Sequence, residues 1–292
     1  MKRGLGFFLG ACLLVASPMA LSQSVKMRIP RYISAGEAFS ILTTGTGSAE
    51  IYIVGPEQTL LRRVRLGDPV HFPAGVVYDA GYYLVALVHG ASTDTGTLKV
   101  VPENQPDKLA FLAEPSRIPV DLPDGISGTA YIFDVYHNLI VQPMPMSFEI
   151  SNGVKKDRTQ VVVTSRNGVA WTRMNSAARA GDAIFMASTK GVSSKRVIDQ
   201  VPGEPCSLSM TANPSGRMLM LRTAPVFDCS GNPVPDGTIV TFTERLNGKK
   251  CTVDVPLKKG IASAQIPAWA GATISVASGE MAGNEIRWTG RE

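Results

Sequence analysis

Apolar and polar residues alternate along most of this chain in short runs, which are separated by glycine, proline and aspartate. In the N-terminal third, between Val25 and Pro102, the runs read KMRIPR, AFSILTTG, AEIYIVG, TLLRRVRLG, GYYLVALVHG and TGTLKVV. A period of two is the pattern of strands with one buried face, and no long stretch has a helical period. The pattern therefore predicts an all-β protein whose short strands form sandwiches.

One strand–turn–strand unit occurs twice, 94 residues apart (228 − 134 = 94), as IFDVYHNLIVQPMPMSF at 132–148 and VFDCSGNPVPDGTIVTF at 226–242. Each copy has a strand, an aspartate, a turn that ends in asparagine, a proline-bearing corner and a second strand. The match continues beyond the unit: GVA at 168–170 returns as GIA at 260–262, and AGDAIFMAS at 180–188 returns as AGATISVAS at 270–278. The chain therefore contains at least two copies of one all-strand domain.

The order of these motifs resembles the bacterial immunoglobulin-like domains that occur in tandem in invasin- and intimin-type adhesins. The resemblance covers about two-thirds of the mature chain at ordinary domain lengths. It implies immunoglobulin-like β-sandwiches and a function in adhesion. The sequence departs from the family at His137, where glycine is usual, and at Leu139, where proline is usual. These departures predict a looser turn in the middle domain.

Three domains are predicted after a signal segment. The run AGYYLVA at 80–86 resembles the Ala-Gly strand starts at 180 and 270, which indicates a third, divergent sandwich at the N-terminus. Polar, proline-bearing segments at 101–107 and 201–205 mark the boundaries. We predict a signal peptide at 1–22, a divergent immunoglobulin-like sandwich at 23–103, and bacterial immunoglobulin-like domains at 104–202 and 203–292. Short linkers stiffened by proline predict an extended rod.

The N-terminus has the features of an export signal. Lys2 and Arg3 precede an apolar run at 5–20, and small residues follow at 20–22, so a secretory signal peptide cleaved before Gln23 is predicted. LGAC at 9–12 is an alternative lipobox that would lipidate Cys12, but the apolar run continues past it. No later apolar run is as long as a membrane span. We expect an exported protein that is periplasmic, at the cell surface or secreted, without a transmembrane segment in the mature chain.

Charge argues against nucleic acid as a partner. The whole chain carries a formal charge of +5, and removal of Lys2 and Arg3 leaves 27 − 24 = +3, spread thinly. A nucleic-acid site would need basic residues clustered on one face with aromatics between them. The lysine pairs at 249–250 and 258–259 flank one strand and are interpreted as a solvated edge that discourages strand addition. Contact with anionic polymer or lipid headgroups is the alternative.

The repeat also assigns strand faces in the middle domain, because successive side chains of a strand point to opposite faces. The family's core positions fall on these eight residues: Ala130, Ile132, Met144, Met146, Phe148, Ala170, Thr172 and Met174. The residues between them must then point away from the core, and the two strands that carry them are expected to be neighbours in one sheet.

The residues predicted on that outer face are Tyr131, Phe133, Trp171 and Arg173. The third domain has serine at 263 and glutamine at 265 in place of Trp171 and Arg173, so the fold does not require that half of the patch. Phe133, in contrast, is matched by phenylalanine at 227. The patch is a candidate binding site for a protein or a glycan. Cross-strand aromatic packing, or cover by a neighbouring loop, is the alternative.

Cys206, Cys229 and Cys251 all fall in the last domain. An odd number in an exported protein means one disulfide and a free thiol, an intermolecular link, or no bond at all. Cys206 and Cys229 are expected at adjoining ends of the first two strands of the domain, and Cys251 at the opposite end. This placement favours a disulfide between Cys206 and Cys229. No histidine falls in this domain, which argues against a metal site there.

Catalytic chemistry has little support in the sequence. His71, His89 and His137 are scattered and are interpreted as surface or turn residues. The glycine-rich segment at 44–48 lies between two strands, so it predicts a hairpin turn and not a phosphate loop. The carboxylates of Asp134, Asp228 and Asp236 are expected to cap their own turns, with calcium as the alternative. We predict no cofactor and no enzymatic activity.

Three functions remain as hypotheses. The first is a non-enzymatic adhesion or cell-envelope interaction protein, for which the word adhesion comes from the resemblance. The second is a periplasmic or structural accessory subunit of a surface appendage or secretion assembly. The third is a carbohydrate-binding module, which rests on the exposed aromatics. Because intimin-type adhesins carry a membrane barrel before their arrays and this chain does not, we expect it to be released, periplasmic or held by a partner.

Overall fold

The computed structural model describes residues 25–153 and 157–290, and within them it contains 23 strands and no helix. The prediction of an all-β fold is confirmed. The predicted signal peptide and the alternative lipidation site at Cys12 lie outside the described residues. The described residues divide into two compact units, one that ends at Pro102 and one that begins at Glu103.

The first unit is a sandwich of a three-stranded sheet, β1-β3-β6, and a five-stranded sheet, β2-β8-β7-β4-β5. Its strands are β1 (Lys26–Arg28), β2 (Tyr32–Ser34), β3 (Phe39–Thr44), β4 (Ser48–Val54), β5 (Thr59–Arg65), β6 (Val70–Phe72), β7 (Gly81–His89) and β8 (Ser92–Val101). The alternating runs of the sequence form six of these strands. The other two, β2 and β6, have three residues each and lie outside the alternating runs.

Tyr83 of β7 is buried in this first sandwich, and burial raises the pKa of its hydroxyl to about 12. The hydroxyl oxygen lies 2.9 Å from the backbone oxygen of Asp79, four residues upstream, and 3.0 Å from Oε1 of Gln58, so its one proton is shared between these two acceptors. A tyrosine near the start of a strand that bonds back to its own corner is a recurring feature of immunoglobulin-like sandwiches.

The second unit contains two further sandwiches, each with its own apolar core. The middle sandwich consists of β9 (Lys108–Glu114), β10 (Arg117–Pro119), β11 (Ile126–Phe133), β12 (Pro145–Asn152), β13 (Asp157–Thr164), β14 (Val169–Met174), β15 (Gly181–Thr189) and β16 (Val192–Val201). They form the sheets β14-β11-β9 and β10-β16-β15-β12-β13.

The C-terminal sandwich has the sheets β17-β18-β21 and β20-β19-β22-β23. Its strands are β17 (Met210–Ser215), β18 (Met218–Thr223), β19 (Ile239–Leu246), β20 (Lys249–Pro256), β21 (Ser263–Pro267), β22 (Thr273–Ser278) and β23 (Met281–Arg287).

Three phenylalanines form the centre of the middle core. The rings of Phe111, Phe148 and Phe185 have their centroids 5.1 to 6.1 Å apart, within the range of favourable aromatic contacts. Gly128 of β11 faces them, and a Cβ atom there would lie 2.6 Å from the ring of Phe185. The glycine is therefore needed where β11 passes the aromatic cluster.

The predicted strand faces of the middle sandwich are confirmed. All eight residues assigned to the core are buried, namely Ala130, Ile132, Met144, Met146, Phe148, Ala170, Thr172 and Met174. The strands that carry the outward residues, β11 and β14, are antiparallel neighbours as predicted. The core positions implied by the family resemblance set which face is buried, and strand alternation then placed the residues between them on the outer face.

The prediction of a looser turn at His137 is wrong. The backbone bond from Asp134 N–H to Asn138 O measures 3.0 Å, and its counterpart from Asp228 to Asn232 measures 2.9 Å. His137 has φ 66°, in the left-handed region where the other copy has glycine with φ 82°. Histidine is among the non-glycine residues enriched in this conformation, and the aspartate of the turn holds the backbone in place.

Candidate functional site

The candidate site is the outer face of the sheet β14-β11-β9 in the middle sandwich. In the antiparallel register, Thr129 of β11 lies between Trp171 of β14 and Leu112 of β9. One step along, Tyr131 lies between Val169 and Ala110. Directly opposed residues of antiparallel strands share a face and are close enough for their side chains to touch. The face therefore carries an apolar row three strands wide.

The four predicted residues are all on this face, but not equally accessible. Trp171 is 64% exposed, and Arg173 is exposed one step beyond it, opposite Ser127. Tyr131 is half-buried and lies diagonally from Trp171. Phe133 is half-buried too, but it is far from Arg173. It lies six positions along β11 from Ser127, the partner of Arg173, and six positions of a strand span about 20 Å.

Phe133 is positioned by the turn that follows it. Its backbone bridges to Leu139, as Phe227 bridges to Pro233 in the C-terminal sandwich. The same pairing in both copies indicates a structural role for this phenylalanine. The structure thus brings Tyr131, Trp171 and Arg173 together and places Phe133 at the edge of the group.

Leu112 belongs to the same surface and is 55% exposed, although the sequence did not indicate it. Strand β9 reads KLAFLAE, in which five consecutive residues are apolar, so its outward positions cannot be recognised by polarity. Only the pairing of Leu112 with Thr129 places it in the same row as Trp171, two strands away across the sheet. We call Leu112, Thr129, Tyr131, Trp171 and Arg173 the aromatic face.

In the C-terminal sandwich, the row equivalent to Trp171, Thr129 and Leu112 is polar and consists of Ser263, Arg222 and Thr211. Ser263 lies opposite Arg222, and Gln265 lies opposite Met220, on β21 and β18. Both Ser263 and Gln265 are exposed. The sheet is formed equally well without the tryptophan, so packing within the sandwich does not account for Trp171.

The aspartates of the repeated unit connect each turn to the linker before its sandwich. Asp134 is buried and accepts hydrogen bonds from the backbone N–H of Glu103, Tyr136 and Asn138, and from the Asn138 amide, at 2.8 to 3.0 Å. Asp228 accepts the corresponding bonds from Gly203, Ser230 and Asn232 at 2.7 to 3.0 Å. Donors surround both carboxylates, which supports turn capping over calcium binding.

Asp228 makes the stability of the C-terminal sandwich depend on pH. Burial raises the pKa of its carboxyl, but the hydrogen bonds from Gly203, Asn232 and Ser230 outweigh burial and hold the pKa below its ordinary value of 3.8. A pKa that is lower in the folded state adds stability above the unfolded value, and this contribution is lost as pH falls through the folded pKa.

We therefore expect the melting temperature of the C-terminal sandwich to fall as the pH is lowered from about 4 to about 2. Thermal unfolding across this pH range, monitored by hydrogen exchange of the strands β17 to β23, measures the effect. Asp228→Ala should reduce the slope of melting temperature against pH, because the variant has no carboxyl to protonate at this site. An equal slope in the variant would contradict the assignment.

Cys206 and Cys229, the predicted pair, are joined by a disulfide, and Cys251 is a free, exposed thiol in β20. The local arrangement differs from the expected one, because neither bonded cysteine lies in a named strand. Pro205 pairs with Asp228 in an isolated bridge, and Cys206 N–H donates to Phe227 O at 3.0 Å. The disulfide therefore joins the linker to the turn, beside the bond from Gly203 to Asp228.

The histidines make local contacts only. Nδ1 of His71 lies 2.8 Å from Oγ of Ser40, and Nδ1 of His89 lies 2.8 Å from the backbone oxygen of Ser48. His137 occupies the left-handed position of its turn. Within residues 25–153 and 157–290, no group of three or more His, Cys, Asp or Glu side chains could hold a metal ion.

Comparison with known proteins identifies the class of fold. No known protein family matches the chain, and no curated protein has a significantly similar sequence. The adhesin FdeC of Escherichia coli has a similar structure, with a TM-score of 0.54 at 12% identity over 92% of this chain and 94% of that one. Invasin, a bacterial integrin-binding protein, has a TM-score of 0.47 at 12% identity over 89% of this chain and 58% of that one.

The fold is accordingly that of tandem immunoglobulin-like β-sandwiches, as found in bacterial adhesins. The resemblance seen in the repeated motifs extends to the three-dimensional structure. At 12% identity the likeness concerns the fold, and a fold can serve many functions. Across the part of the chain that the structure describes, no helix is long and apolar enough to cross a membrane.

Proposed function

We propose that this protein is an exported, non-enzymatic adhesion or cell-envelope interaction protein that binds its partner through the aromatic face. The observation that carries the proposal is the exposure of Trp171 and Leu112 in one row of the sheet, where the repeated copy is polar. Exposed apolar groups that the fold does not require mark interaction surfaces. Tryptophan, tyrosine and arginine are also the residues that concentrate binding energy at interfaces.

The shape of the surface supports a large partner. Because the residues project from the outer face of a sheet, they form a broad surface and not a deep cleft, which is the usual form of a small-molecule site. Arg173 adds a planar donor for carboxylate groups next to the tryptophan ring. A protein at the cell surface or a glycan fits this chemistry, and both are retained as partners.

An accessory subunit of a surface appendage or secretion assembly is the second candidate, since the same face would serve subunit contacts. Cell fractionation separates the two functions. An adhesin reaches the outer surface, whereas an assembly factor remains in the periplasm. A glycan array tests the narrower hypothesis of a carbohydrate-binding module.

Trp171→Ala and Trp171→Ser test the aromatic face, and the serine copies position 263 of the repeat. We expect a stability change of about 1 kcal/mol or less, because only cross-strand contacts are lost. A buried tryptophan would cost about 3 to 5 kcal/mol. Binding to cell envelopes should weaken by about 30-fold or more, which corresponds to an interface residue worth about 2 kcal/mol.

The matched control is Tyr82→Ala, which removes an equally exposed aromatic side chain from the first sandwich, outside the aromatic face. Thermal unfolding and binding of the purified, labelled protein to envelope fractions are measured for all variants. The control should bind like the unmodified protein. Unchanged binding in both Trp171 variants would refute the proposal, and a large loss of stability would refute the assignment of Trp171 to an outer face.

A further inference from the structure

A second surface, at one end of the C-terminal sandwich, contains a buried carboxylate oxygen without a hydrogen-bond partner. Glu244 of β19 is only 7% exposed, and its Oε1 atom accepts no hydrogen bond. None of the ion pairs among the described residues involves it. Burying a carboxylate without compensation is costly, so this atom requires a separate explanation.

The repeat shows that the fold does not require this carboxylate. Counting back 94 residues from Glu244 leads to Ile150, which is buried in the core of the middle sandwich. Ile150 pairs with Phe185, and Glu244 pairs with Ile274 in the corresponding ladder. An apolar side chain thus fills the position in one copy, whereas the other copy has a carboxylate whose pKa is raised by burial.

Glu244 lines an open groove of about 460 Å³. The residues that line it are Glu244, Leu246, Asn247, Lys249, Lys250, Cys251 and Trp269. Leu246 and the half-exposed ring of Trp269 are apolar walls, and Cys251 lies directly across the strand pair from Glu244. The groove therefore combines a buried negative group, an aromatic ring and an apolar wall.

Trp269 lies in a loop whose counterpart in the middle sandwich makes contacts. Residues 178–180 correspond to 268–270, since 270 − 180 = 90. In the middle sandwich the backbone oxygen of Ala178 accepts from the Asn232 amide at 2.8 Å, and Ala180 N–H donates to the Asn232 oxygen at 2.9 Å. This end of the sandwich is thus a contact surface in one copy, and in the other copy it carries the tryptophan.

We propose that this groove binds an alkylammonium group, as present at the end of a lysine side chain or in a free aliphatic amine. The Oε1 atom of Glu244 accepts a hydrogen bond from the ammonium, whose charge compensates the buried carboxylate. The face of Trp269 attracts the same cation through its ring quadrupole. Leu246 contacts the alkyl chain, in the way that lysine stems cover apolar surface.

Lys249 and Lys250 line the same groove and could compete with an external ammonium. Their side chains are exposed, so solvent and salt screen their repulsion, whereas the carboxylate lies in a less polar environment where attraction is stronger. Because alternation places Lys249 on the same strand face as Cys251, Lys249 is the residue whose own ammonium could reach Glu244.

The test is an NMR titration of the full mature protein, disulfide intact, with n-butylammonium chloride and with n-butanol as a neutral match. We expect saturable shifts of the Trp269 indole N–H and of the amides of β19 and β20, with a dissociation constant of about 1 mM for so small a ligand. Butanol should bind at least about tenfold more weakly, since it lacks the charge.

Two variants of Glu244 complete the test. Glu244→Gln retains the shape and should weaken butylammonium binding by about tenfold or more. Glu244→Ile copies Ile150, so it should abolish binding and raise the melting temperature of the C-terminal sandwich by about 4 to 8 °C. If butylammonium binds the unmodified protein and Glu244→Gln equally, or binds neither, the proposal is refuted.

Lys249→Ala tests whether the ammonium of Lys249 competes with butylammonium for Glu244. We expect this variant to bind butylammonium as well as the unmodified protein or up to about tenfold better. Binding that occurs only in Lys249→Ala would overturn the proposal, because Lys249 would then be the native occupant of the groove.

Blocked lysine, Nα-acetyl-lysine methylamide, and spermidine identify the source of the ammonium. Tighter binding of blocked lysine than of butylammonium indicates a protein side chain, and tighter binding of spermidine indicates a free amine. Trp171→Ser should leave all of these titrations unchanged, so failure of this site is distinguishable from failure of the aromatic face.

Discussion

Asp134→Ala is expected to destabilise the middle sandwich by about 3 to 4 kcal/mol. The variant leaves the backbone N–H groups of Glu103, Tyr136 and Asn138 and the Asn138 amide without their common acceptor. It also releases the linker at Glu103, because the bond to the Asp134 carboxylate holds this residue to the turn. Asp134→Asn should be damaging as well, since its amide would present a donor to groups that are themselves donors.

The C-terminal sandwich supplies a matched comparison. Asp228 accepts the same set of bonds, but the disulfide from Cys206 to Cys229 joins the same linker and turn. The residue that corresponds to Cys229 in the middle sandwich is Val135, since 229 − 135 = 94. We therefore expect Asp228→Ala to lower the free energy of unfolding of its sandwich by less than Asp134→Ala does, while the disulfide is intact. After reduction of the disulfide, the two losses should become similar.

Hydrogen-exchange mass spectrometry during denaturant unfolding resolves the two sandwiches and provides the stability of each. Asp236→Ala is the control, because Asp236 is an exposed carboxylate whose backbone donors, Lys259 and Gly260, both lie in one neighbouring turn. It should change stability far less than either buried aspartate. If Asp134→Ala lowers the free energy of unfolding by less than about 1 kcal/mol, the fold does not need the linker bond and the turn bonds.

Removal of the disulfide is expected to destabilise the C-terminal sandwich by about 3 kcal/mol. The two cysteines are 23 residues apart in the chain, so the bond removes the freedom of a loop of this length from the unfolded state. The double variant Cys206→Ala and Cys229→Ala avoids stray thiols. The middle sandwich should keep its stability, because its core and turn do not include either cysteine.

Cys251→Ser is the control for this experiment, since its thiol is free and exposed. Denaturant unfolding with and without a reductant should show a shift in the unmodified protein and in Cys251→Ser, and none in the double variant. A shift that disappears in Cys251→Ser would mean that the functional disulfide involves this thiol in solution.

Much of the fold follows from the sequence because each strand buries one face. The core positions that the family resemblance implies, combined with the alternation of side chains along each strand, are sufficient to assign the core of the middle sandwich, including Ile132, Met146 and Phe148. The family resemblance added the adjacency of β11 and β14, and the expected positions of Cys206 and Cys229 indicated the disulfide, although neither cysteine lies in a strand. The short strands β2 and β6 lie outside the alternating runs and were missed.

The tertiary structure alone decided which residues meet across strands. Leu112 joins Trp171 through the register of β9, β11 and β14, and a strand's own sequence does not specify its register with its neighbours. The reach of Asp134 to Glu103 depends on how the linker returns to the turn. Glu244 looks like an ordinary polar strand residue in the sequence. It becomes a buried carboxylate with an unpartnered oxygen only because β19 places it on the core side of the sheet, opposite Ile274.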